Sequence, residues 1–414
     1  MLGAITVTQT LTIVLFLGLL PLAAFGYRLG RGKHLAQSAT PSPFAGSAGI
    51  FGWYAVLGAA KPALAINLAA LGLYLAGILS IPMPVVAAST VVAAMVGLFL
   101  ALRAIQPHFR AREAIEKTIQ RMLFVASLIS ILTTIGIVAS VIFEAIHFFR
   151  LVSLWEFITG TQWNPDDALR PDGTVDSSLF GAVPLFAGTL LITCIAMSVA
   201  IPVGLFSAIC MSEYASPLIR RIAKPTLEIL AGIPTVVYGF FAAITVSPLV
   251  VETAGRLGLQ ADSTNALSPG LVMGIMIIPL VSSLADDVIS AVPQNLREGS
   301  LALGAFPSET IKRVVLPAAL PGIVSACLLA VSRAVGETMI VVMAAGLQPV
   351  LSANPLRGMT TVNVRIVDAF TGDQAFDSPE TLSAFGLGLA LLVITLGLNI
   401  ISLTVIRKFR QRYE

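Results

Sequence analysis

Two charged residues in the middle of an apolar stretch are the first candidates for chemistry. Arg333 and Glu337 lie in the sequence VSRAVGETMIVV, inside a predicted span at 318–345. Placing a charged side chain at the centre of a membrane costs at least about 2.5–3.5 kcal/mol. Both side chains are therefore expected to face the protein interior or a water-filled path. Their spacing of four predicts one shared helix face. An arginine fork held by Glu337 would suit a tetrahedral oxyanion, and the alternative is an ion pair that pins two helices together.

Two further residues are candidates for lining such a path. Glu228 lies near the start of another predicted span, where snorkelling to the interface or pairing with Lys224 explains it equally well. The sequence GIPTVVYG at 232–239 carries a proline and two glycines, which loosen a helix where it lines a cavity. Tyr238 would point its hydroxyl into that cavity or make a hydrogen bond between helices.

A polar stretch between two apolar spans carries more helix and turn signals than a simple connecting loop needs. We interpret it as a surface that binds a partner. It runs over 298–317 with the sequence EGSLALGAFPSETIKRVVLP. Gly304 suits the left-handed residue that ends a helix, which predicts a helix over 294–303, and Pro307 starts a second one. Glu298 would accept hydrogen bonds across the exposed bend and fix its angle. The alternative is an ordinary amphipathic loop on the membrane surface.

The composition requires that these elements be positioned by membrane helices. Over 414 residues, 56% are hydrophobic and 11% charged, and the mean hydropathy is +0.91, which is too apolar for a soluble protein. Each span needs about 20 mostly apolar residues. Nine spans are predicted, at about 4–27, 61–81, 85–105, 122–146, 183–210, 225–251, 269–290, 318–345 and 381–406.

The distribution of charge predicts the orientation of these spans. Basic residues cluster in 103–121 and after the last span, whereas the loops at 150–182 and 346–380 are acidic. By the positive-inside rule the basic segments, the C-terminus and the stretch at 298–317 are cytoplasmic. The net charge of only +3 gives no reason to expect nucleic acid as a partner.

The sequence contains no pattern typical of a metal site or a soluble enzyme. Its three cysteines show no CxxC spacing and its three histidines are scattered, so neither a zinc site nor a disulfide framework is predicted. GxxxxGK[ST], HExxH and GxSxG are absent from the sequence. We therefore expect neither enzymatic activity nor a cofactor.

The polar stretch at 298–317 resembles the EAA motif of ABC importer permeases, E-A-A-x3-G-x9-I-x-L-P. The corresponding residues here are Glu298, Gly299, Ser300, Gly304, Val314, Leu316 and Pro317. The resemblance implies a cytoplasmic coupling element at 291–317 that docks into a cleft of a nucleotide-binding subunit. Its apolar docking face would consist of Ala302, Leu303, Ala305 and Phe306.

Four further phrases resemble the PstC-type permeases of bacterial phosphate-specific ABC importers. They lie at 180–189, 212–215, 231–241 and 333–339. The last contains GETM, rather than the GETAPL associated with the sister PstA-type permease. The resemblance covers 113–414 as a six-span permease domain, and it leaves 1–112 as a three-span membrane extension of unknown role.

The resemblance implies an all-α, polytopic subunit of the bacterial inner membrane that transports phosphate past Arg333, Glu337, Tyr238 and Glu228. The implied partners are a PstA-type sister permease, two ATP-binding subunits, a periplasmic phosphate-binding protein and membrane lipid, with ATP bound by the partners alone. Two alternatives stay open. The chain could serve another oxyanion such as molybdate or sulfate, because the coupling motif is shared across substrates, or it could be a secondary transporter or channel with Arg333 and Glu337 as its ion site.

Overall fold

The computed structural model is helical throughout its described part. It describes residues 19–37, 48–75, 83–106, 109–170, 174–371 and 378–410. These residues contain eight helices that are long and apolar enough to cross a membrane. The first predicted span, at 4–27, lies largely outside the described residues. The sequence predicts about nine spans, and the described residues contain eight.

Contacts divide the chain into two compact units, 1–135 and 136–414. The first unit contains helices α1 (Leu19–Gln37), α2 (Ala48–Leu75) and α3 (Met83–Ala104), and α4 (Ala111–Leu151) runs from the first unit into the second. The second unit continues with the short helix α5 (Leu154–Thr159) and then the elements given below. The boundary expected near residue 112 stays a prediction.

In the first unit, α2 and α3 approach closely because small residues face each other. A Cβ added to Gly97 would lie 2.2 Å from the carbonyl oxygen of Gly58, so no side chain fits there at this close helix spacing. Helix α2 begins at Ala48, well before the predicted span at 61–81. The part of α2 that carries Trp53 and Tyr54 therefore lies before the predicted span.

The second unit is built around two long helices, α6 (Val183–Ile209) and α10 (Leu267–Ser290). A Cβ on Gly274 would lie 2.8 Å from the carbonyl oxygen of Ala196, and a Cβ on Gly204 would lie 2.8 Å from the side chain of Val281. Glycines at such contacts let two helix backbones approach closely. Such close packing stabilises helix association inside a membrane, where the hydrophobic effect does not drive helices together. The two helices thereby form a rigid frame for the site.

The remaining elements of the second unit follow this frame in chain order. Helix α6 continues into a π-helical turn (Cys210–Tyr214), and two more π-helical turns occur at Ala242–Val246 and Ile311–Val315. The helices are α7 (Pro217–Ala231), α8 (Thr235–Phe241), α9 (Ser247–Arg256), α11 (Gln294–Ala302), α12 (Pro307–Thr310), α13 (Leu316–Val335), α14 (Met339–Ala344), α15 (Val362–Thr371) and α16 (Pro379–Arg410).

Two predicted spans are wrong in their continuity. The span predicted at 225–251 is interrupted after α7, and the helix that can cross the membrane begins at Thr235. The cause is local, because Pro234 has no N–H to donate and disfavours helical geometry at the residue before it. Residues 217–231 instead form a separate helix without any buried residue.

The span predicted at 318–345 is interrupted in the same way. Helix α13 ends at Val335, and Glu337 lies in a non-helical segment before α14. Asn363 stabilises this break, since its amide donates to the carbonyl oxygens of Val335 at 2.8 Å and of Glu337 at 3.4 Å. Carbonyls freed by a broken helix need such partners inside a membrane.

Candidate functional site

Five polar residues of the second unit line one cavity of about 180 Å³. Its polar lining consists of Lys224, Glu228, Ser283, Asp286 and Arg333. These come from α7, α10 and the last turn of α13, and the remaining lining is apolar. The structure therefore brings together two of the four residues predicted for a substrate path.

Helix α10 supplies the wall of this cavity at a point where its own hydrogen bonding is weakened. Pro279 lies in the middle of α10 and lines the cavity. A proline there cannot donate to the carbonyl of Ile275, one turn earlier, and such helices occur where a protein lines a polar space. The cavity wall is thus a place where α10 can bend.

Glu337 and Tyr238, the other two predicted path residues, do not line the cavity. The shared helix face expected for Arg333 and Glu337 was wrong, because α13 ends between them. In the part of the chain that the structure describes, no ion pair joins their side chains. Tyr238 is buried and its hydroxyl donates to the carbonyl oxygen of Leu230 at 3.0 Å, which is the hydrogen bond between helices considered as its alternative.

A buried carboxylate beside the cavity was missed by sequence reasoning. Asp286 has no exposed surface, and Arg220 donates from Nη2 to both of its oxygens at 3.0 Å. Lys224 donates to Asp286 Oδ2 at 3.2 Å. We call these three residues the α7 latch, because they join α7 to α10.

The latch favours the charged form of its lysine. The hydrogen bond to Asp286 is the main cause that raises the pKa of Lys224, and partial burial opposes it. A second hydrogen bond runs to Asp287 at 3.3 Å. The pairing of Lys224 with Glu228, considered from the sequence, was wrong. Lys224 instead forms ion pairs with Asp286 and Asp287 of α10.

The predicted coupling element has the expected local structure. Helix α11 covers Gln294–Ala302, and Gly304 has a φ of +84°, as predicted for a left-handed residue at a helix end. Leu303 is 91% exposed and Phe306 71% exposed. Ala302 is also exposed and Ala305 is half-buried. Two large apolar side chains at an exposed turn are what a docking surface would present.

The bend is fixed by residues other than Glu298, and the hydrogen bonds expected from that carboxylate were wrong. Its side chain is exposed and has no hydrogen-bond partner among the described residues. The donors at the bend are already paired: Ala305 N–H donates to the Ser300 carbonyl at 3.2 Å and Phe306 N–H to Glu309 Oε2 at 3.2 Å. The hydroxyls of Ser300 and Thr310, 2.9 Å apart, complete the bend.

Leu316 and Pro317, the end of the motif, are the first residues of α13. The π-helical turn Ile311–Val315 leads into them, and Val315 is completely buried. The whole span runs as one continuous helix over Pro307–Val335, so Pro317 lies inside it and has no N–H to donate to the preceding turn. These two residues therefore belong to the membrane helix rather than to the exposed turn.

Arg297 connects the coupling element to the frame. Its Nη2 donates to Glu213 Oε1 at 2.9 Å and to the carbonyl oxygen of Ile289 at 2.8 Å, and its Nη1 donates to the carbonyl oxygen of Val292 at 2.5 Å. The side chains of Arg297 and Glu213 are only 14% and 13% exposed. Arg297 thus joins α11 to the π-helical turn that follows α6 and to the end of α10.

Replacing Arg297 by methionine is expected to destabilise the protein strongly. Methionine removes the cation that is paired with Glu213 and the side-chain donor to two backbone carbonyls, and breaking a buried ion pair from one side costs about 3–5 kcal/mol. Thermal unfolding of the purified protein measures the loss. Arg313→Met, which removes an exposed arginine of the same stretch, is the matched control. An Arg297→Met protein as stable as this control would contradict the joint described here.

These features define a polytopic membrane component with a polar cavity and an exposed, rigidly connected turn. Residues 200–414 match the family model described as "Binding-protein-dependent transport system inner membrane component". The chain belongs to this family. It is therefore a multi-pass integral membrane protein and a transport component rather than an enzyme.

The chain is also similar to individual permease proteins. The chain is 32% identical over 309 residues to "Phosphate transport system permease protein PstC 1" of Mycobacterium bovis, which covers 69% of this chain and 90% of the relative. It is 32% identical over 244 residues to "Probable ABC transporter permease protein YqgH" of Bacillus subtilis, which covers 59% of this chain and 75% of the relative. A solved bacterial ABC transporter involved in import of the acidic polysaccharide alginate aligns at a TM-score of 0.48 and 16% identity, covering 70% of this chain and 98% of that one.

Proposed function

We propose that this protein is a permease subunit of an ATP-driven phosphate importer of the bacterial inner membrane. The observation that carries the proposal is the exposed turn at Gly304, joined by the buried pair of Arg297 and Glu213 to the frame that lines the cavity. A turn with this connection can convert a force applied by a cytoplasmic partner into a change in the shape of the cavity. The likeness to named phosphate permeases supports phosphate as the substrate.

The path of force follows from the contacts. ATP-driven closure of two partner subunits would move the turn that carries Leu303 and Phe306. Arg297 would transmit that movement to Ile289 at the end of α10, since it donates to that carbonyl. Helix α10 holds Asp286 and Ser283 against the cavity, so its displacement would change the space around Arg333.

Arg333 supplies the chemistry that phosphate requires. A guanidinium stays charged and presents several donors, which suits a tetrahedral oxyanion. Glu228 lies in the same cavity and opposes tight trapping of an anion by the arginine. The chain itself needs no cofactor in this scheme, because its partners bind the ATP.

The assembly we propose contains a PstA-type sister permease, two ATP-binding subunits and a periplasmic phosphate-binding protein within membrane lipid. Arg333 and Glu228 are exposed in the single chain, and a sister permease would cover them and complete the path. The proposed orientation has the C-terminus in the cytoplasm, which its basic residues support. The acidic loops at 150–182 and 346–380 would then face the binding protein rather than the free anion.

Copurification from native membranes tests this proposal. We expect an intact complex with two ATP-binding subunits, a second permease and, in the presence of phosphate, a binding protein. Binding assays on that binding protein decide the substrate, with phosphate expected to be preferred over sulfate and molybdate. A preference for sulfate or molybdate would replace phosphate by that oxyanion, and purification without any ATP-binding subunit would contradict the importer itself.

A further inference from the structure

Helix α7 is attached to the rest of the second unit in an unusual way. At its start the chain is extended at Ala215 and Ser216, and at its end the helix stops at Gly232 before Pro234. Both ends are therefore joints at which a short helix can swing as one body. Helix α7 has no buried residue of its own, so apolar packing contributes little to holding it in place.

The contacts that hold α7 against α10 are mainly ionic. Asp286 is completely buried and receives hydrogen bonds from both Arg220 and Lys224. Arg220 adds a weaker hydrogen bond to Ser290 at 3.3 Å. The neighbouring Asp287 also contacts Lys224, but its side chain is 64% exposed, where an ion pair contributes little. Asp286 is thus the main residue that attaches α7 to α10, while the hydroxyl of Tyr238 separately ties the end of α7 to α8 through the carbonyl oxygen of Leu230.

Helix α7 borders both the cavity and an adjoining groove. The cavity that contains Arg333 is lined by Lys224 and Glu228, and the same two residues line an open groove further along the same face of α7. That groove carries Arg220 and Arg221 as well. A swing of α7 away from α10 would join the two spaces and open the cavity toward a basic surface.

We propose that α7 is a movable gate over the cavity and that Asp286 latches this gate closed through Arg220 and Lys224. The assignment of the cavity to the substrate path rests on the function proposed above, with the gate on the cytoplasmic side. When the latch opens, the two cations released from Asp286 face an anion leaving the cavity. The latch therefore acts as a positioning element and does not itself need to bind the transported anion.

Thiol labelling of the cavity tests the gate without reference to any substrate. Ser283→Cys places a reporter in the cavity lining, in a chain whose three cysteines, Cys194, Cys210 and Cys327, are replaced by alanine. Inverted membrane vesicles that contain the assembled complex are treated with a charged, membrane-impermeant thiol reagent. The labelling rate then reports how often the cavity is open to the cytoplasmic side.

The decisive comparison is between two neighbouring isosteric substitutions. Asp286→Asn removes the latch charge and is expected to accelerate labelling by about tenfold or more, because a closed state that loses its differential contacts loses population. Asp287→Asn removes an exposed acid one position along the same helix and is expected to leave the rate near that of the parent. Equal labelling rates in the two variants would overturn the proposal.

A milder variant keeps the test valid if Asp286→Asn does not assemble. Lys224→Gln removes one cation while Arg220 remains bound to Asp286, and a smaller acceleration than for Asp286→Asn is expected. A rate no faster than that of Asp287→Asn would again overturn the gate. Phosphate uptake by the parent complex is a separate readout, so a failure of the proposed substrate and a failure of the gate are distinguishable.

Discussion

Replacing Gly304 by valine is expected to abolish ATP-driven uptake while the protein remains inserted in the membrane. Gly304 has a φ of +84°, and a β-branched residue in the left-handed region is strained by more than the roughly 1–2 kcal/mol of an ordinary side chain. A Cβ at this position would meet no atom within 4 Å. The effect therefore arises only from the backbone, which must leave the turn that presents Leu303 and Phe306.

Gly136 provides a matched control for this substitution, because it lies outside the coupling element. It lies in the interior of α4, and a Cβ there also meets no atom within 4 Å. Valine is tolerated better than glycine inside a helix, so Gly136→Val is expected to retain uptake. Uptake and ATP hydrolysis are measured together in the reconstituted complex. Normal uptake by the Gly304→Val protein would contradict the coupling role of the turn.

Replacing Arg333 by methionine is expected to stop phosphate uptake with assembly intact. No described residue forms an ion pair with Arg333, so methionine leaves no buried carboxylate without its partner. What is lost is the charged donor in the cavity, and a hydrogen bond to a charged group contributes about 1.5–3 kcal/mol. Since about 1.4 kcal/mol is a factor of ten, uptake should fall at least about tenfold.

Two variants separate this role from a structural one. Arg256→Met removes an arginine that is 77% exposed and paired with Glu252 within α9, and it is expected to transport normally. Arg333→Lys retains the charge without the planar fork and is expected to retain part of the uptake. Purified complexes of all three variants are compared for subunit content. Dissociation of the Arg333→Met complex would indicate that the arginine holds helices together instead.

The local structure of the coupling element was predictable because its determinants are local. A glycine at a helix end and a proline at a helix start act within a few residues, and both were placed correctly at Gly304 and Pro307. The long apolar helices were predictable for a similar reason. Hydropathy averages over about twenty residues, which suffices to detect a span.

The same averaging explains the wrong spans. The mean hydropathy of an apolar window does not change where a helix is interrupted. The predicted spans 225–251 and 318–345 therefore included the breaks at Pro234 and at Gly336. The glycine and proline signal at 232–239 predicted a loosened helix, and the structure shows a full interruption. Glu337 was misplaced because four residues define a helix face only where the helix continues.

The ion pairs that organise the site were not predictable from one sequence. Asp286 lies 66 residues from Arg220, and Arg297 lies 84 residues from Glu213. Local spacing carries no information on such pairs, because folding of the whole unit brings them together. The available signals were only indirect: acids at the end of an apolar span, and two basic residues four apart on the preceding polar helix.

Phosphate uptake into proteoliposomes tests the central claim most directly. Vesicles that contain the complete complex and the loaded binding protein are compared with vesicles whose ATP-binding subunits carry an inactivating substitution. We predict uptake that requires both ATP hydrolysis and the binding protein, and none with the inactivated subunits. Uptake that persists with the inactivated subunits would contradict the importer and assign the chain to the secondary transporters or channels.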